Sequence, residues 1–171
     1  LWNAHVASGV SLQELAAPFD LISVAFSKGL GAPGGSMLAG PRDLIVAADR
    51  HRRRMGGAMR QNGIFAAAAL HGLDHHLARL ADDHAHARLL AERLVAGAPV
   101  ALDLATVQSN IVVFHLPAGL PDAATVVARA RAEGVLVGAF GPRTVRAVTH
   151  LDVNRAQCER AAEVLVGLLA G

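Results

Sequence analysis

At 171 residues the chain suffices for one domain, or for one and a half small ones. Its formal charge of +2 is too small to imply a nucleic-acid partner, and no uninterrupted apolar run is long enough to span a bilayer. A single cysteine, Cys158, excludes an internal disulfide framework and fits a reducing, cytoplasmic setting; no signal-peptide pattern is visible. The apolar fraction of 53% with only 4% aromatics, much of it Ala and Val, suits closely packed helices on a sheet. It equally suits a chain that buries surface against something else. The opening Leu1-Trp2-Asn3-Ala4 has neither an initiator Met nor a tail-like composition, so a piece of a longer protein is expected.

In chain order, Ser11-Leu12-Gln13-Glu14 has the form of a capping box and predicts a short helix ending before Pro18. Leu21 to Phe26 reads as a strand running into the glycine-rich turn Gly29 to Gly35, and Ser36 to Ala39 as a second short strand closed by Gly40-Pro41. A helix starts at Pro41 with Asp43 in its first turn and should break at Gly56-Gly57. A longer helix is predicted from about Gln61 to Val95, with a bend at Gly72. Gly97 to Pro99 is the expected boundary between residues 1–96 and 97–171. Beyond it the pattern predicts strands at Ile111 to Leu116, Val135 to Val137 and Val145 to Val148, with helices at Ala123 to Glu133 and Asn154 to Leu169. That is an α+β end domain joined through a long helix.

The composition holds one lysine, Lys28, against fifteen arginines. A position that keeps Lys in so Arg-biased a chain needs an amine rather than a charge. An ε-amine can lose its proton and attack a carbonyl, which a guanidinium cannot. The chemistry that separates them is Schiff-base formation, with a substrate or with pyridoxal phosphate (PLP). Lys28 follows a predicted strand and opens a glycine turn, which presents its side chain at a sheet edge in a cleft. The turn contains Gly29-x-Gly31-x-x-Gly34, the dinucleotide spacing, but Pro33 and Gly35 interrupt the helix that such a motif must open, and Ser36 to Ala39 reads as extended.

Three motifs in order, Ser27-Lys28-Gly29-Leu30-Gly31-Ala32-Pro33, Met59-Arg60-Gln61 and Val148-Thr149-His150-Leu151-Asp152-Val153, resemble the low-specificity threonine aldolase family. The resemblance runs from Leu1-Trp2-Asn3-Ala4 to the last helix. It implies an α/β fold, the C-terminal part of a PLP-dependent transferase-like (fold type I) enzyme: the end of the large domain plus a small α+β domain. It implies that Lys28 holds PLP and is catalytic, that Arg146 binds the substrate α-carboxylate, and that Arg60 serves the cofactor phosphate or a subunit interface. The reaction implied is cleavage of L-threonine, allo-threonine or a similar β-hydroxy amino acid to glycine and an aldehyde, in a homo-oligomer (dimer or tetramer). The family's pattern begins upstream of Leu1. The phosphate cradle, the group that stacks on the ring, the Asp for the pyridine nitrogen and a further carboxylate-binding arginine are expected there. The alternatives are another PLP-dependent β-eliminating lyase or aminotransferase, and a non-catalytic interaction fragment.

Other features read as structural. Arg50-His51-Arg52-Arg53-Arg54 is a solvated helix face, or one turned to an anionic cofactor or a subunit, and without aromatic interleaving does not indicate nucleic acid. The cluster His71, His75, His76, His84 and His86 lacks the Glu or Cys that would complete a metal motif; no metal site is assigned, and the expectation is polar positions on an exposed helix. Arg143 reads as a solvated charge, and Cys158 as a packed, inert thiol.

Overall fold

The computed structural model describes residues 1–170. The chain forms two compact units that divide between Leu80 and Ala81.

In the first unit, α1 (Trp2–Ser8) and α2 (Leu12–Ala16) precede a hairpin of β1 (Ile22–Ala25) and β2 (Ser36–Ala39), then α3 (Arg42–Arg54) and α4 (Gly63–His75). The capping box at Ser11 is complete: its hydroxyl accepts the Glu14 N–H, and the Glu14 carboxylate accepts the Ser11 N–H. The Ser11 hydroxyl also donates to the Glu14 carboxylate at 2.7 Å, and that bond, with the one from the Ser11 N–H, holds the Glu14 carboxyl below its usual range. The hairpin is antiparallel, with Ile22 opposite Ala39 and Ala25 opposite Ser36. Val24, Phe26, Leu30, Ala32, Ala69 and Leu80 form the core of the unit, with Trp2 and Val6 packed against it. Helix α3 buries no residue, and its basic run is solvated; Asp49 pairs with Arg52 at 2.7 Å and Arg53 at 2.8 Å.

The single helix expected from Gln61 to Val95 is two helices, α4 and α5 (Leu80–Gly97). The break falls at residues 76–79, not at Gly72, which lies inside α4. The cause is non-local. Leu80 is buried and Leu77 half-buried against the first core, while the His76 side chain bonds the carbonyl of Leu30, and these contacts outweigh helix propensity.

In the second unit α5 continues to Gly97, followed by a single 3-10 turn (Leu104–Thr106), β3 (Ile111–His115), α6 (Ala123–Ala132), β4 (Gly138–Gly141), β5 (Thr144–Val148) and α7 (Arg155–Leu169). The sheet is antiparallel in the order β3-β5-β4. Alternation assigns the faces. Val112 and Phe114 of β3 and Val145 and Ala147 of β5 point into a core shared with Leu90 and Leu94 of α5, Val126 of α6 and Leu165 of α7. The intervening residues line the sheet's other face. Asn154 and Gln157 form a second capping box at the start of α7. The strand expected at Val135 to Val137 begins three residues later. The Val135 N–H is tied back to the Ala130 carbonyl at the end of α6, so that segment closes the helix instead of joining the ladder.

Candidate functional site

Lys28 stands in the bend after β1. Its carbonyl accepts the Gly31 N–H at 2.9 Å, the Phe26 carbonyl accepts the Ala32 N–H, and the Phe26 N–H reaches the Gly35 carbonyl, so the turn is a closed backbone loop. The Lys28 side chain is exposed and lines a cleft of about 370 Å³. Trp2, Asn3, Ser23, Ser36 and Leu80 share its walls. Helix α1, which propensity did not reveal, brings Trp2 there. The indole N–H donates to the Ala25 carbonyl at 3.1 Å, and its ring lies 6.0 Å from that of Phe26.

The volume lies within the range of about 300–1,000 Å³ typical of small-molecule sites. For PLP, the donor set fits one end of the cofactor. The cleft offers the chain's only ε-amine for the aldehyde carbon, and uncharged polar groups from Asn3, Ser23 and Ser36. Neither an arginine nor a carboxylate lines it, so the groups for the phosphate and the pyridine nitrogen are not among its walls.

Arg60 is in the same unit but outside that cleft, exposed in the turn before α4 beside Gln61, whose φ is 54°. Arg146 belongs to the second unit. It sits on β5 opposite Val113 and Gly138, on the sheet face turned away from the core, with its guanidinium 4.6 Å from the centre of the Phe140 ring. Exposed Ile111, Val113 and Val148 surround it on that face. A guanidinium stacked on an aromatic ring keeps its forked edge free for a planar anion such as a carboxylate.

Four residues differ from expectation. Arg143 is not a solvated charge. It is half-buried and donates to the carbonyls of Leu116 and Leu120, at 2.9 Å each, and to those of Pro117 and Pro121, fastening the segment that leads into α6. Three of the five clustered histidines are not exposed polar positions either: His76 is half-buried against Leu30, and His84 and His86 are half-buried on α5. Cys158 is buried, and burial, with Asp83 adding to it, raises its thiol above the usual range, as an inert thiol requires. A buried polar junction escaped sequence reasoning. The Asn110 amide donates to the Thr149 carbonyl at 2.8 Å, and the Thr149 hydroxyl donates to the Asp83 carbonyl at 2.6 Å. It joins β3 and β5 three residues beyond Arg146. No spacing signal in the sequence marks it.

A family model described as "Beta-eliminating lyase" matches residues 1–117. The low specificity L-threonine aldolase of Escherichia coli O157:H7 is 41% identical over 163 residues, 95% of this chain and 46% of that protein. A probable low-specificity L-threonine aldolase 2 of Arabidopsis thaliana is 35% identical over 160 residues, 93% of this chain and 45% of that protein. The chain therefore spans about half the length of the curated relatives it matches. A solved structure from Listeria monocytogenes EGD-E, provisionally named an L-allo-threonine aldolase, superposes with a TM-score of 0.78 at 22% identity, over 99% of this chain and 49% of that one. At that identity the likeness shows the fold alone, and the fold is the α/β, fold type I architecture expected. No described helix is long and apolar enough to cross a membrane.

Proposed function

This chain belongs to the beta-eliminating lyase family, whose cofactor is PLP, and from that premise we propose that Lys28 is the residue that holds the cofactor in a carbon–carbon lyase acting on β-hydroxy amino acids. One observation carries the reading: the chain's only primary side-chain amine lines a cleft of small-molecule size. The net reaction converts L-threonine, L-allo-threonine or a similar substrate to glycine and an aldehyde. The Cα–Cβ bond breaks, the β-hydroxyl gives up its proton to become the carbonyl, and Cα gains a proton. PLP, when bound, supplies the electron sink for that cleavage.

The chain's own residues have narrower tasks. Lys28 gives the cofactor its point of attachment, and an amine can be displaced by the substrate's own amine, whereas an arginine there could do neither. Arg146 binds the α-carboxylate bidentately, with Phe140 holding the guanidinium plane. Arg60 serves the cofactor phosphate or a neighbouring subunit. Trp2 and Leu80 give the Lys28 cleft apolar walls. The same reading counts residues 1–96 with the large domain and 97–171 as the small domain. It places the protein in the cytoplasm as a homo-oligomer.

The test uses the product of the complete reading frame, incubated with PLP, reduced with borohydride and mapped by peptide mass. A pyridoxyl group on the peptide carrying Lys28 is expected, together with release of glycine and acetaldehyde from threonine in equal amounts. No adduct on Lys28 in the folded protein sinks the cofactor reading. An adduct without joint release of both products replaces the aldolase with another PLP-dependent reaction on the same scaffold.

A further inference from the structure

We propose that His76 is a positioning residue for Lys28, acting through the carbonyl of Leu30. The inference rests on Lys28 being the cofactor lysine and adds a residue 48 positions away to its support. His76 is the residue at which α4 ends. Its Nδ1 lies 2.8 Å from the Leu30 oxygen, in a partly buried contact. A carbonyl only accepts, so Nδ1 carries the proton, in the neutral and the charged ring alike. One turn earlier Gly72 removes the side chain that would stand in the way: a Cβ there would come 2.7 Å from the same oxygen. Gly72 and His76, four apart on one helix face, thus form a seat for a single backbone carbonyl.

That carbonyl belongs to the turn carrying Lys28. The loop is closed on itself by Gly31 N–H to the Lys28 carbonyl and Ala32 N–H to the Phe26 carbonyl, and Leu30, between them, is fully buried. Inside the turn the bonds are all short-range. The bond from His76 is a polar contact that ties it to a separate helix, and it fixes Leu30 two residues beyond the reactive amine. The His71 ring stands edge-on 5.3 Å from that of His76, which restricts the latter's rotation. His76 is assigned no contact with cofactor or substrate; its effect is on where the Lys28 side chain starts.

The experiment compares the unaltered full-length protein with His76→Leu, which removes the donor, and His76→Asn, whose amide nitrogen can take the place of Nδ1. Two quantities are read. The first, on cofactor-free protein, is hydrogen exchange at the Gly31 and Ala32 amides; loss of one such bond should speed it by about tenfold in His76→Leu, with His76→Asn near the unaltered rate. The second is the rate at which borohydride traps PLP on Lys28, which should fall in His76→Leu and recover in His76→Asn. If His76→Leu does not fold, His76→Asn against His76→Asp gives the same comparison, since the two differ in the donor and hardly in shape. Exchange indifferent to residue 76, or faster exchange with unchanged trapping, overturns the positioning role. Absence of any adduct in the unaltered protein is a different result, and it removes the cofactor reading on which the proposal stands.

Discussion

Replacing Gly72 by alanine tests the packing beneath the Lys28 turn. On an open helix surface this change is favourable by about 1 kcal/mol, because alanine loses less backbone freedom. Here the new Cβ would lie 2.7 Å from the Leu30 oxygen and 3.2 Å from the Leu30 Cβ, where ordinary contact begins at 3.4 Å. The nearest atom is backbone in a hydrogen-bonded turn and cannot swing aside as a side-chain end would. Overpacking of this kind costs about 1–3 kcal/mol. Pushing the Leu30 carbonyl away also stretches its bond from His76, worth about 1 kcal/mol. Set against the helix gain, Gly72→Ala should destabilise the first unit by about 1–3 kcal/mol. Gly167 in α7 is the control, because a Cβ there meets nothing within 4 Å. Gly167→Ala should stabilise by about 0.5–1 kcal/mol. Trp2, the chain's only tryptophan, packs beside Phe26, so its fluorescence in a urea titration reports the unit that contains Gly72, and circular dichroism follows Gly167→Ala. A Gly72→Ala protein whose Trp2 transition moves to higher urea would refute the account of that contact.

Three further outcomes are expected. Arg143→Ala should cost about 1–3 kcal/mol by freeing carbonyls that the guanidinium caps, and Arg143→Lys should recover less than half of it, because a lysine cannot present the same fork; a fully restored lysine variant in thermal unfolding would contradict the clamp. Burial lowers the pKa of His84, with Asp83 opposing. Since the unfolded chain then takes up this proton first, stability should decline as pH falls below about 6.5, and His84→Gln should flatten that decline; an unchanged slope in the variant argues against it. Trp2 and Lys28 share a cleft, so attachment of PLP should quench Trp2 emission and hydroxylamine should restore it; a mapped adduct on Lys28 with unaltered emission would mean that the two do not face one space.

Local chemistry could be read without coordinates. Both helix starts that carry capping boxes are within one residue of expectation, because Ser11 with Glu14, and Asn154 with Gln157, need only each other. The strands at β3 and β5 were legible from apolar runs, and the cleft position of Lys28 from the strand and glycine turn that flank it. The features that stayed hidden depend on partners far along the chain. The helix break at 76–79 follows from Leu30, 46 residues before His76, and Arg143 reaches back 22 to 27 residues to its carbonyls. The late start of β4 hangs on one amide, Val135, turning back to α6. In each case the local pattern was compatible with two outcomes and a tertiary contact chose between them.

The glycine turn shows how the same letters can carry a different physics. In a dinucleotide fingerprint the three glycines of Gly29-x-Gly31-x-x-Gly34 would bend the chain into a helix whose first turn faces a pyrophosphate. Here they lead to β2, and each meets a separate demand. A Cβ on Gly29 would lie 2.8 Å from the Leu80 side chain, and one on Gly34 would lie 2.8 Å from the Phe65 ring, while Gly31 takes a φ of 71° where the turn closes on the Lys28 carbonyl. Two of the three are thus small for the protein's own side chains, and the third bends the loop. Two of the donors that such a fingerprint would offer, the Gly31 and Ala32 N–H groups, are spent inside the turn. The ionisable side chain that the turn displays to the cleft is that of Lys28.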